Sequence, residues 1–240
     1  MTNASTEKKP AGSDTSRTVV RWAVRETMGV VMMALILMLC AGRWDWAWGW
    51  APVIIMAAWV VATGWTVIPR YPQLLADRVG PQKGAKQWDT ALMGFLGVLV
   101  LAGYIVAGLD QRNGWTPDVA PLARWIALAV AAAGYAITVW ATASNAFFSS
   151  IVRIQSERGH AVAEGGPYRF LRHPSYLGQI AAYLATPVVL GSGWALLIGT
   201  VCAVLIAVRT ALEDRTLLSE LAGYKAYAGK VRFRLLPGIW

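Results

Sequence analysis

Long apolar runs restrict this chain's fold more than any other feature. They lie at roughly 27–42, 46–68, 88–109, 122–148, 176–190 and 193–212, most of them close to the ~20 residues an α-helix needs to cross about 30 Å of hydrocarbon. Composition agrees, because 56% of the 240 residues are hydrophobic and 15% are charged, far from the balance of a soluble domain. The sequence therefore predicts an all-α integral membrane protein with about six (five to six) transmembrane helices. The uncertainty in the count comes from the fifth and sixth runs. They are short or closely joined through Leu190-Gly191-Ser192-Gly193, a link that suits the turn of a helical hairpin or, alternatively, a break in one helix.

The basic residues set the expected topology. The net charge is +9, but the Lys and Arg residues are distributed between apolar runs and do not form one basic domain, so the pattern reads as a membrane topology signal and nucleic acid is not an expected partner. Lys8, Lys9, Arg17, Arg21 and Arg25 precede or open the first run, and Arg70, Arg78, Lys83 and Lys86 follow the second. Arg153, Arg158, Arg169 and Arg172 follow the fourth, and Arg209, Arg215, Lys225, Lys230, Arg232 and Arg234 close the chain. Only Arg43, Arg112 and Arg124 fall on the other side. The positive-inside rule then places both termini and the segment after the fourth run in the cytoplasm, and the membrane is expected to be the plasma (inner) membrane. Trp44, Trp46, Trp48 and Trp50 at the first outer turn read as an interfacial anchor. Residues 1–20 are polar and lack apolar periodicity, so they are expected to be a disordered tail. Cys40 and Cys202 read as small buried hydrophobes, and the first run as a retained helix in place of a cleaved signal.

Polar chemistry concentrates in one cytoplasmic stretch, Gly159–Tyr176, which holds both histidines of the chain, His160 and His173. Gly165-Gly166-Pro167 marks a turn, and Pro174 pushes His173 towards an extended conformation at the entrance of a new helix. Unpaired N–H groups there, at Ser175 and Tyr176, can donate to a carboxylate. A basic loop snorkelling to lipid headgroups fits the same composition. Arg209 and Glu213 share a helical face by their spacing of four, as a salt bridge or around a shared ligand. Asn145 reads as an interhelical hydrogen-bonding residue and Asp89 as an N-terminal helix charge. Tyr224, Tyr227 and Phe233 with their basic neighbours fit an amphipathic segment on the membrane surface, with ligand contact as the lesser alternative. No Gly-rich dinucleotide fingerprint or phosphate loop is present.

The stretch Gly166-Pro167-Tyr168-Arg169-Phe170-Leu171-Arg172-His173-Pro174-Ser175-Tyr176-Leu177-Gly178 resembles the signature of the isoprenylcysteine carboxyl methyltransferases and their bacterial relatives. The resemblance extends through His160-Ala161-Val162, Arg209, Glu213, Gly223-Tyr224-Lys225-Ala226-Tyr227 and Leu236-Pro237-Gly238, over roughly residues 145–240. It implies a cytoplasmic C-terminal cofactor-binding segment for S-adenosyl-L-methionine, surrounded by Gln155, His160, Ala161, Val162, Ala163, Tyr168, His173, Pro174, Ser175, Tyr176 and Glu213. It also implies that Arg209 faces the acceptor as substrate-binding and catalytic residue. Where the family usually shows Glu-Glu, this chain has Glu213-Asp214.

The resemblance divides the chain into the tail (1–20), N-terminal transmembrane helices (21–140) and a methyltransferase-like region (141–240). The function it implies is methyl transfer to a lipophilic acceptor, foremost the carboxylate of an isoprenylcysteine-like molecule, without a metal. A carboxylate acceptor needs no base, and an arginine can hold it bidentately. A lipid amine or small thiol is the alternative acceptor. An NADPH-dependent membrane reductase and a non-enzymatic scaffold or transporter are the alternative functions. The lipid bilayer is an expected partner, and the sequence specifies no oligomeric state.

Overall fold

The computed structural model describes residues 11–72, 74 and 84–240; Lys8, Lys9, Arg78 and Lys83 lie outside the described residues. Those residues form seven α-helices: α1 (Ala11–Ala41), α2 (Ala47–Val67), α3 (Gln87–Asn113), α4 (Pro121–Ala143), α5 (Pro174–Leu190), α6 (Gly193–Glu220) and the short α7 (Tyr224–Lys230). No strand is present among them. Helices satisfy their backbone groups internally, as hydrocarbon demands.

Five helices, α1 to α4 and α6, are long and apolar enough to cross a membrane. The sixth, α5, has 17 residues, about 25 Å at 1.5 Å per residue, yet it joins the same two ends of the bundle. It begins at His173, beside Asp214 near the end of α6. It stops at Gly191, whose left-handed φ of 75° closes the helix and lets the α5–α6 hairpin turn on two residues. Ser192 Oγ and Thr116 Oγ1 both donate to buried Asp110, which ties that turn to the α3–α4 connection. At the opposite end Lys86 pairs with Glu220. The chain thus passes between the two ends six times.

Two differences from the sequence reading concern boundaries. Residues 11–20, expected within a disordered tail, are the start of α1. Val19 and Trp22 lie on one helical face and pack with Val67 and Leu74, which gives that stretch an apolar partner its own composition does not reveal. The fourth helix ends at Ala143, five residues before its apolar run does. There Asn145 Oδ1 accepts the Phe147 N–H at 2.9 Å, a local turn that competes with helix.

Close approach fixes α5 against α4, the most extensive helix pair in the bundle. A Cβ on Gly178 would sit 2.3 Å from Gly134 O, and one on Gly134 would sit 2.5 Å from Gly178 O. Glycine at both positions lets the two backbones touch. The contact lies within one helical turn of Tyr176, so it also sets where the first turn of α5 stands.

Candidate active site

The connection between α4 and α5, residues 144–173, folds back over the end of the bundle and encloses a cleft with the last turns of α6 and with α7. Gln155 organises the connection. It is fully buried, its Nε2 donates to Phe147 O at 2.7 Å and its Oε1 accepts from Arg158 at 2.7 Å. Its backbone N–H donates to His160 Nδ1 at 3.3 Å, and the His160 ring lies 4.8 Å from Phe147. Burial first, and then Arg153 and Arg158, hold the His160 pKa below its ordinary value, which keeps the ring neutral with Nδ1 as acceptor. Gln155, expected around the cofactor, therefore supports the wall from behind and does not line the cleft.

The cleft has a volume of about 760 Å³ counting its open mouth, within the usual range for small-molecule sites of roughly 300–1,000 Å³. His160, Ala161, Val162, Ala163, Tyr168, His173, Ser175, Tyr176 and Glu213 all line it; Pro174 is buried behind them as the first residue of α5. Ala161, Val162 and Ala163 lie outside any helix and make no backbone hydrogen bond among the described residues. Three consecutive residues with free N–H and C=O groups along a cleft form an unusual edge, since such groups are normally paired.

Of the two α5 amides expected to face a carboxylate, Tyr176 N–H is taken by His173 O at 3.1 Å. Ser175 N–H remains free of any protein partner among the described residues. The Tyr176 ring lies parallel to His173, with centroids 5.7 Å apart, and its hydroxyl donates to Glu213.

Asp214, which the sequence reading left without a role, is the hub beneath this floor. It is fully buried and accepts from Tyr224 OH at 2.8 Å and Arg234 Nε at 2.8 Å. It also faces His173 Nε2 and Arg172 Nε, each at 3.3 Å. Arg172 and His173 N–H groups donate to Phe233 O and Arg234 O, which stitches the final segment to the entrance of α5. Tyr224 and Tyr227, expected on an amphipathic surface segment, are instead buried and line the cleft. Burial raises both phenol pKa values, and each hydroxyl has an acceptor, Asp214 for Tyr224 and Tyr168 O for Tyr227. The signal was available: tyrosines three apart share a helix face.

Arg209 lies elsewhere. It is absent from this cleft and lines a second one, about 1,150 Å³ counting its open side, between the helices of the bundle. Its walls include Met56, Trp59, Met93, Tyr104, Tyr135 and Tyr183, with Arg25 and Glu26 of α1. The sequence reading found no pocket in the first 140 residues, because these residues are spread over four helices. The expected Arg209–Glu213 pairing is replaced by another: Arg209 Nε and Nη2 contact Asp89 at 2.7 and 3.1 Å, and Nη2 also donates to Ser150 O at 2.9 Å. The two clefts share Phe148, Ser149 and Tyr176 as lining residues.

The sequence model of the isoprenylcysteine carboxyl methyltransferase (ICMT) family matches residues 125–219. Over those residues the chain is similar to the ICMT family. Every residue expected at the site falls within that stretch, whereas Asp89, Tyr224 and Tyr227 fall outside it. The solved structure of the eukaryotic intramembrane Ras methyltransferase ICMT, determined without a monobody, is similar at 14% identity and a TM-score of 0.48, over 96% of this chain and 98% of that one. Curated proteins give no match to the chain. The ICMT family is one of membrane methyltransferases, and the apolar helices here fit that setting.

Proposed function

We propose that the protein is an S-adenosyl-L-methionine-dependent methyltransferase whose cofactor occupies the cleft at the end of the bundle and whose lipophilic acceptor occupies the cleft between the helices. The observation that carries this reading is that the two clefts adjoin at Phe148, Ser149 and Tyr176. Methyl transfer from a sulfonium needs two ligands held in line with water excluded, so positioning supplies much of the rate. A polar cleft meeting an apolar one provides that arrangement.

The residues present fit the cofactor's chemistry. The unpaired backbone of Ala161–Ala163 suits the hydrogen-bonding edge of an adenine, and Phe147 and His160 provide flat faces beside it. Ser175 N–H at the start of α5 suits a carboxylate, and Glu213 suits an ammonium or the positive sulfonium. When bound, the cofactor supplies the electrophilic methyl group; the chain holds and aligns both partners. For the acceptor, the carboxylate of an isoprenylcysteine-like molecule is the leading candidate, with a lipid amine or thiol as the alternative. Arg209 presents it with Nη1 alone, because Nε and Nη2 are committed to protein. The cofactor cleft opens to the cytoplasm, the side on which the excess of basic residues lies.

Calorimetric titration of the purified protein with S-adenosylmethionine, S-adenosylhomocysteine and NADPH tests the reading. Both adenosyl ligands bind, and NADPH does not. His173→Ala and Glu213→Ala weaken adenosyl binding by on the order of tenfold or more, as expected when one charge-assisted hydrogen bond is lost, while Arg209→Ala binds like the wild type. Absence of adenosyl binding overturns the proposal.

A further inference from the structure

Arg209 is 3% exposed in the second half of α6, and the group that neutralises it, Asp89, is 0% exposed in the first turn of α3. The two residues are 120 positions apart, and Asp89 lies outside the stretch that matches the family. Asp89 does more than pair with the arginine. Its Oδ2 also accepts Val152 N–H at 2.7 Å, while Ser150 O receives Arg209 Nη2 at 2.9 Å. Ser149, which lines both clefts, is next to that anchor. One carboxylate thus holds the guanidinium and part of the partition between the clefts.

A guanidinium has five N–H donors in a planar fork. Nε and Nη2 are engaged by Asp89 and Ser150, and Nη1 makes no hydrogen bond among the described residues. Arg209 lines the intramembrane cleft, so its uncommitted donors are the ones available to a ligand there. A guanidinium–carboxylate pair is neutral as a whole. In a low-dielectric site an unneutralised guanidinium draws an anion strongly, and its paired form draws it weakly.

We propose that Asp89 is a positioning and specificity-determining residue: it aims Arg209 so that only Nη1 meets the acceptor, and it withholds the arginine's charge from the acceptor cleft. The inference rests on the methyltransferase reading in naming that cleft the acceptor site. Its consequence is that the wild-type cleft discriminates little between an anionic and a neutral acceptor head of the same shape, and that removing Asp89's charge creates a preference for anions.

The test uses the full chain in detergent with two probes, N-acetyl-S-farnesylcysteine and its methyl ester, which differ in one negative charge. Binding is followed by titration calorimetry, alongside S-adenosylhomocysteine. Asp89→Asn keeps the shape and removes the charge. Its preference for the free acid over the ester rises on the order of tenfold or more relative to wild type, as expected for a guanidinium that has lost the carboxylate in contact with it, while adenosylhomocysteine affinity stays within about threefold. Asp89→Glu restores the charge and returns the preference to the wild-type ratio. An unchanged ratio in Asp89→Asn overturns the inference, and so does a parallel loss of both probes and adenosylhomocysteine, which marks a merely structural residue. Should Asp89→Asn fail to fold, Asp89→Glu decides, because a shifted ratio there is equally fatal. If wild type binds no adenosyl ligand but the ratio shifts as described, the methyltransferase reading fails and the role of Asp89 stands.

Discussion

Gly178→Ala places one methyl group into the contact that seats α5. The new Cβ would lie 2.3 Å from Gly134 O and 2.6 Å from Thr138 Oγ1, roughly 1 Å short of ordinary contact, and the obstruction is partly backbone, which cannot rotate away. Helix α5 must therefore move away from α4 by about that much. Over-packing of this kind costs about 1–3 kcal/mol, offset by up to ~1 kcal/mol of improved helix propensity. Gly97→Ala is the matched control, since its Cβ would meet nothing within 4 Å. It receives the propensity gain without the clash. Both variants share the propensity gain, so they differ by the clash of about 1–3 kcal/mol, which at about 2–4 °C per kcal/mol for chains of this size separates them by roughly 2–12 °C in Tm. The displacement also moves Tyr176, which lies within a turn of Gly178, and a 1 Å misplacement at a reacting site is worth on the order of 10²-fold in rate. Thermal unfolding in detergent with adenosylhomocysteine titration reads both effects. Combining Gly134→Ala with Gly178→Ala costs less than the two singly, because both relieve one shared contact. A Tm for Gly178→Ala equal to that of Gly97→Ala, with unaltered ligand affinity, refutes the account of how α5 is held.

Three further outcomes are expected. Asp214→Asn leaves Arg172 and Arg234 facing a neutral group, a loss of about 3–5 kcal/mol for a broken buried pair, and limited proteolysis should cut first within residues 231–240; unchanged protection there contradicts the hub role. His160 has a pKa below 6.5, lowered by burial and by Arg153 and Arg158, so the unfolded chain binds more protons between the lowered value and 6.5. Its contribution to stability is complete above about 6.5 and declines as pH falls through that window, a slope that His160→Gln should remove and that unfolding curves across pH measure. A cysteine introduced at Gly165 should react with impermeant reagents only from the cytoplasmic side, and labelling from outside reverses the proposed orientation.

What could be read from the sequence follows the range of the interactions involved. The helices are legible because hydropathy is a local property, and the Gly191-Ser192 turn is legible because a glycine between apolar runs has a conformational use. The polar island is legible in the same way: His160, Ala161–Ala163, Tyr168, His173, Ser175, Tyr176 and Glu213 converge on one cleft. Pairings across long sequence separations leave no such trace. Asp89 does occupy the first turn of its helix, as its local context indicates, but its partner is Arg209. Asp214 looks like a conservative stand-in beside Glu213, yet helical rotation of about 100° per residue sends it to the opposite side of the floor, onto His173, Tyr224 and Arg234. Gln155 is the converse case, close in sequence to cleft residues but with its amide fully used in shaping the loop.

The division of labour between the halves of the chain follows from the same geometry. The α4–α5 connection contributes most of the cleft at the end of the bundle, and the family match covers it. The cleft between the helices draws also on α1, α2 and α3, through Glu26, Met56, Trp59, Met93 and Tyr104, none of them in the matched stretch. A buried Trp59 Nε1 without a hydrogen-bond partner among the described residues, Gln179 and Arg209 are among the polar groups that such a cavity offers an otherwise apolar ligand. In the proposed function α1 to α3 contribute to the acceptor cleft and to none of the cofactor cleft's lining, and Asp89 ties α3 to the segment between the two. Substitutions at Met56 and Trp59, which line that cleft and not the other, should then alter which acceptor is methylated while leaving adenosyl affinity within about threefold, as expected for sites without shared partners.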